Sequence, residues 1–259
     1  MSISPIDMYV TFDEPVPYKD LEFFPVSMRD YFIFGYLSSC LLLEKDSVPD
    51  PKVISMTYLE YLFSITDDDN KLISKLDGLL RYVLGKKNDT DFKIIYKREE
   101  NGRPLFIINN KEYNSDDFDK IRQIISEQNA INLPDESIQK SVRDAIEEAR
   151  RYKEKLNNTK AAGLEDQMVA LSVYTGWPLK DIYNLSIRKF VKAIKRANHL
   201  LYQKIYLQSS LSGFVTFKDK SILSGWLSDI DEKDRYDDVT IDLEVLKGKA
   251  NFSNAKENK

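Results

Sequence analysis

The sequence predicts a mainly α protein, a helical bundle with a small β-hairpin and an extended N-terminal segment. Three observations predict it. Ile187, Phe190, Val191, Ile194, Ala197, Leu201 and Ile205 recur at spacings of three and four, the mark of one buried face on a long helix. Leu72, Ile73, Leu76, Leu79, Leu80, Val83 and Leu84 repeat that pattern earlier in the chain. Only two β-type runs face each other, Asp91–Lys97 and Leu105–Asn109, across the turn signal Asn101-Gly102.

Taken in order, Met8–Phe12 and Leu21–Val26 read as extended, divided by Pro15-Val16-Pro17, which forbids a continuous helix. Ser27 is placed to cap a helix from Met28 to about Glu44. Its apolar run, Tyr31–Leu43, reads as a core helix, because crossing a bilayer takes about 20 apolar residues. Ser47-Val48-Pro49-Asp50-Pro51 breaks the chain, and a second helix is expected from Lys52 to Ile65. Asp67-Asp68-Asp69 opens a third, running to Gly85. Those aspartates lack the alternating oxygen ligands and distal Glu of a calcium loop, and they suit a helix N-terminus without metal.

Asn109-Asn110-Lys111 makes a further turn. Ser115 is then placed to cap a helix ending near Asn129, with Phe118, Ile121, Ile124 and Ile125 on one face. Another helix is expected from Asp135 to Leu156, strongly charged, with a thin apolar stripe and i,i+4 pairs. Asn157–Gly163 reads as a linker. A medium helix, the turn Thr175-Gly176-Trp177-Pro178 and a short helical link then lead to the long helix, with Ser186 as its cap and Gly213 as its stop. Past Trp226 the chain turns acidic, Val239–Leu243 could form an edge strand, and the end is expected to be disordered. Four regions follow: 1–87, helical with an extended leader; 88–158, hairpin plus charged helices; 163–228, a helical hairpin; 229–259, an acidic, partly disordered tail.

Chemistry is sparse. Cys40 is the only cysteine, which forbids an intramolecular disulfide, and its apolar setting gives it the role of a buried hydrophobe. His199 is the only histidine, so there is no histidine cluster for a metal, and no glycine-rich phosphate loop occurs. No catalytic, metal or cofactor-binding residue is expected. The N-terminus lacks a basic flank followed by an apolar core, so a soluble, cytoplasmic chain is expected, with no membrane partner. A formal charge of -4 argues against a dedicated nucleic-acid binder.

Two constellations remain. Glu165–Ala197 has the outline of a helix-turn-helix, but the segment where a reading helix would begin carries one lysine offset by Asp181. The aromatic residues Trp177, Tyr183, Phe214, Phe217 and Trp226 gather around turns. They either plug the ends of the bundle or anchor a protein partner.

Ile108–Ile131, Gly163–Phe190 and Tyr206–Ile230 resemble tail assembly chaperones encoded in the tail-morphogenesis regions of large tailed bacteriophages of Gram-positive hosts. Where that pattern would place a His-Trp pair, this chain has Gly225-Trp226. The resemblance implies a non-enzymatic protein of the host cytoplasm that keeps the tape-measure protein soluble and brings tail-tube subunits to it. It is compatible with a homo-oligomer. A structural baseplate or tail component of the virion is the alternative, and a DNA-binding regulator the third reading.

Overall fold

A computed structural model describes residues 5–47, 50–65, 71–100, 102–136, 138–156 and 162–213. The fold is mainly α with a minor β component, as the helical periodicities require. The described residues divide into two compact units, one drawn from Met1–Ser137 and Leu164–Ile194, the other from Ile138–Gly163 and Lys195–Lys259.

In the first unit, the expected extended leader at Met8–Phe12 is instead a helix, α1 (Pro5–Phe12). Its β-branched and aromatic residues imitate a strand, yet burial falls on Ile6, Tyr9 and Val10, a helical spacing. Proline at the first helical position loses no hydrogen bond there. Asp13, at φ 57, ends the helix in the left-handed region, and the Glu14 N–H donates to the Tyr9 carbonyl at 2.9 Å. A small antiparallel ribbon follows, β1 (Val16–Tyr18) with β2 (Leu21–Phe23).

The expected helix from Met28 to Glu44 is broken into a 3₁₀ turn at Met28–Asp30, α2 (Tyr31–Ser38) and a second 3₁₀ turn at Ser39–Leu41. Ser27 does not cap it. That residue is extended and bridges Ser186, while Met28 N–H donates to Leu185 O and Ile187 N–H to Val26 O, both at 2.9 Å. The expected second helix is also two, α3 (Pro51–Ser55) and α4 (Tyr58–Ile65). Thr57 interrupts it because Thr57 and Glu60 form a capping pair, with Thr57 N–H and Oγ1 donating to Glu60 at 2.7 and 2.8 Å. α5 (Lys71–Val83) carries the predicted stripe, with Leu76, Leu79, Leu80 and Val83 buried. Asp67–Asp69 lie outside the described residues. α2 and α5 approach closely at Gly78, where a Cβ would sit 2.9 Å from Leu37 Cδ2.

The predicted hairpin is present as β3 (Ile94–Arg98) and β4 (Pro104–Ile108), and a third antiparallel strand, β5 (Lys111–Tyr113), extends it. Asn109 and Asn110 both take positive φ, 52° and 62°, the conformation a two-residue hairpin turn demands. α6 (Ser115–Gln128) is capped by Asn114 rather than Ser115: Asn114 Oδ1 accepts from Asp117 N–H at 2.8 Å, and Asp117 reciprocates at 3.1 Å. Ser115 faces inward instead and donates to Pro104 O at 2.7 Å.

The core sits where α4, α6 and the three-stranded sheet meet. Phe106, Tyr113 and Phe118 are fully buried and Tyr58 nearly so. Phe106 stacks on Tyr113 at 5.3 Å and meets Phe118 edge-on at 6.1 Å; Tyr58 stacks on Phe118 at 6.5 Å.

α8 (Leu164–Thr175), α9 (Leu179–Asn184) and the start of α10 (Ile187–Leu211) complete the first unit. Gly176, at φ 75, makes the turn after α8. Ser186 Oγ accepts from Lys189 N–H at 3.2 Å, as a cap should. Ile187 and Phe190 are buried, but Leu201 and Ile205, expected on the same buried face, are 43% and 54% exposed. The first turns of α10, with Ile187 and Phe190, belong to the first unit. In the second unit, α7 (Lys140–Leu156) starts five residues later than Asp135, and the pairs Lys140–Asp144 and Arg151–Glu147, both 3.0 Å, lace its surface. Most of the expected linker 157–163, and the expected strand Val239–Leu243, fall outside the described residues.

Candidate functional site

The most apolar run of the chain, expected as a core helix, buries little of itself. Within α2 only Phe34 and Ser38 are buried, followed by Cys40 and Leu41. Tyr31, Phe32, Ile33 and Tyr36 are 37%, 76%, 51% and 64% exposed. The following turn fixes this orientation. Tyr58 Oη donates to Cys40 O at 2.9 Å, and the Arg122 guanidinium donates twice to Leu41 O, at 2.9 and 3.2 Å, while lying 3.5 Å from the Tyr58 ring centre. With that end pinned and Leu37 set against Gly78, the opposite side of α2 must face outward.

Leaving these groups outside is costly. Burying a large apolar side chain is worth about 1.5–3 kcal/mol. Four such residues together represent a sizeable share of a domain's stability of about 5–15 kcal/mol. A contiguous patch of this kind marks an interaction surface more often than a defect.

One cation lies against it, and two more flank the chain entering α2. Lys75 Nζ lies 4.4 Å from the Tyr36 ring centre and donates to Ser39 Oγ at 3.1 Å. Lys87 Nζ pairs with Asp30 at 3.0 Å and lies 5.3 Å from the Tyr82 ring. Arg29 donates to Asn184 Oδ1 at 2.9 Å and sits 5.9 Å from the Tyr183 ring.

That last contact locates one of the five aromatic candidates. Tyr183 is half-buried at the end of α9, beside the chain that enters α2. Trp177 is 46% exposed in the turn before α9, where its N–H donates to Thr175 Oγ1 at 3.2 Å and its carbonyl accepts from Ser172 Oγ at 2.7 Å. Phe214, Phe217 and Trp226 lie outside the described residues. α8 adds Val169 and Val173, 42% and 80% exposed. In the second unit, α10 leaves Leu201, Tyr202, Ile205, Leu207 and Leu211 exposed.

Sequence reasoning passed over the α2 surface. The signal was available: Tyr31, Phe32, Ile33, Phe34, Tyr36 and Leu37 surround the whole helix, and two turns packed on one neighbour can bury only one side.

Burial pushes the Cys40 thiol up to about 12, so it stays protonated. At the N-terminus of α6, Lys19 Nζ and Tyr18 Oη donate to Asp117 at 2.6 and 2.7 Å; they hold its carboxyl below the usual range against burial, which raises it. Burial, then the bond to Asp117, pushes the Tyr18 hydroxyl up to about 12. Tyr113 Oη donates to Asp20, the main reason Asp20 is lowered. A cleft lined by Phe24, Leu84, Phe92 and Lys86 opens beside this cluster, and Lys19 and Asp20 on its wall are already engaged with Asp117 and Tyr113. Among the described residues, no group of three or more His, Cys, Asp or Glu side chains could hold a metal ion, and no helix is long and apolar enough to cross a membrane.

Residues 155–231 match the family model described as the YomV second domain. The match covers less than half of the chain, is consistent with a phage protein, and takes in α8, α9 and α10. No curated protein and no solved structure matches.

Proposed function

We propose that this chain is a non-enzymatic tail assembly chaperone of a bacteriophage, acting in the host cytoplasm by binding the tape-measure or tail-tube protein before the tail polymerises. One observation carries the reading. The stretch similar to the YomV second domain leaves large apolar side chains on its outside, with Val173 80%, Trp177 46% and Leu211 86% exposed. An assembly factor needs such surfaces, because it must grip apolar helical segments of a client and later release them.

The test compares two fractions from infected cells by mass spectrometry. The expected result is the chain co-purifying with tape-measure protein from lysates and missing from purified virions. Its presence in virions at fixed stoichiometry would replace this reading with a structural tail or baseplate role.

A further inference from the structure

We propose that the outward side of α2 is a docking surface for a partner helix whose apolar stripe is flanked by carboxylates. Tyr31, Phe32, Ile33 and Tyr36 supply the apolar contact. Lys75 Nζ lies 4.4 Å from the Tyr36 ring, and Arg29, two residues before Tyr31, is exposed. Asp30, the residue before Tyr31, is paired with Lys87 at 3.0 Å. With Asp30 and Lys87 cancelling, Lys75 and Arg29 leave positive charge beside the aromatic centre, and an acidic-flanked apolar segment is its complement.

The shape selects the kind of segment. α2 satisfies its own backbone hydrogen bonds and offers no strand edge. An extended peptide laid across it would leave its N–H and C=O groups unpaired against rings. A helix brings its backbone already satisfied. A second copy of this chain is a poor occupant. Two α2 surfaces face to face would set the cations of one copy against those of the other. A nucleic-acid strand would use the rings and cations but gain little from Ile33, and the chain's charge of -4 opposes it.

The inference holds whichever protein supplies the helix. Its failure leaves the tail-assembly reading standing, since that one is decided by particle composition. The experiment is fluorescence anisotropy on the full chain with a designed helix of about 18 residues, five turns. The helix carries a leucine stripe flanked by glutamates, and is compared with the same helix carrying lysines and with a single-stranded oligothymidine. The expected result is binding of the glutamate helix about tenfold tighter than the lysine helix, the sum of a few exposed charge pairs. Phe32→Ser and Tyr36→Ser should each weaken it severalfold, and Lys75→Glu combined with Arg29→Glu should reverse the preference. Should Phe32→Ser lower the melting temperature, Tyr36→Ser carries the same test. Equal affinity for both helices, indifference to these substitutions, tighter binding of oligothymidine, or a concentration-dependent dimer abolished by Phe32→Ser would each overturn the proposal.

Discussion

In α6 the apolar residues fall at Phe118, Ile121, Ile124 and Ile125, and all four are buried; in α2 they fall at every position but Gly35 and Ser38, and Tyr31, Phe32, Ile33 and Tyr36 are exposed. The helix with more polar residues is the core element, and the greasier one lies half outside. Spacing accounts for the difference. Intervals of three and four put α6's apolar groups on one side, where the sheet and α4 cover them. α2 has apolar groups all round and, among the described residues, packs mainly on α5. Apolar content predicts that a segment will be covered by something; periodicity predicts whether its own chain does the covering.

That contrast can be broken from the α6 side first. Phe118→Ala removes a fully buried ring from the aromatic cluster and should cost about 3–5 kcal/mol in urea unfolding. A loss near zero would mean that α6 is not the core helix. Arg122→Ala comes next, at about 1–3 kcal/mol, because it orphans the Leu41 carbonyl and uncovers the Tyr58 ring. Arg122→Lys should recover only part, since lysine lacks the planar fork. Asn114→Ala should cost about 1 kcal/mol, whereas Ser27→Ala should cost little, because the Ser27 side chain makes no cap bond.

Acid sharpens the same comparison. Asp20 and Asp117 have folded values below their ordinary range of about 3.9, so they add stability above that value and lose it as pH falls through the lowered ones. Asp119 works in the opposite sense: burial raises its value, and protonating it favours the folded chain. Thermal melts of Asp117→Asn should therefore show a flatter loss on acidification than the parent, and an unchanged slope would remove Asp117 from the account. The smallest expected effect is on α2 itself. Phe32→Ser and Tyr36→Ser should shift unfolding by no more than about 0.5 kcal/mol.

Much of this was legible in the residues. The stripe of α5, the hairpin of β3 and β4, the end of α6 at Asn129 and the buried Cys40 follow from periodicity and turn chemistry, and the structure has them. The failures share a cause. α1 imitates a strand until its burial spacing is known, and Ser27 is a good cap residue recruited into a bridge with Ser186, far along the chain. Tertiary partners decided both, and no local rule sees them. The same limit hid the α2 surface, because a run of aromatic residues reads as core until the neighbouring helices prove too few to cover it. Of the five aromatic candidates, the turn signal led to Trp177, which is exposed, and to Tyr183, which meets Arg29 beside α2.

Hydroxyl-radical footprinting with mass spectrometry tests most directly whether α2 is surface and α6 is core. The free protein should oxidise rapidly at Phe32 and Tyr36, while Phe118 and Tyr113 stay protected until denaturant unfolds the chain. Phe32 and Tyr36 as protected as Phe118 in the native protein would contradict the account.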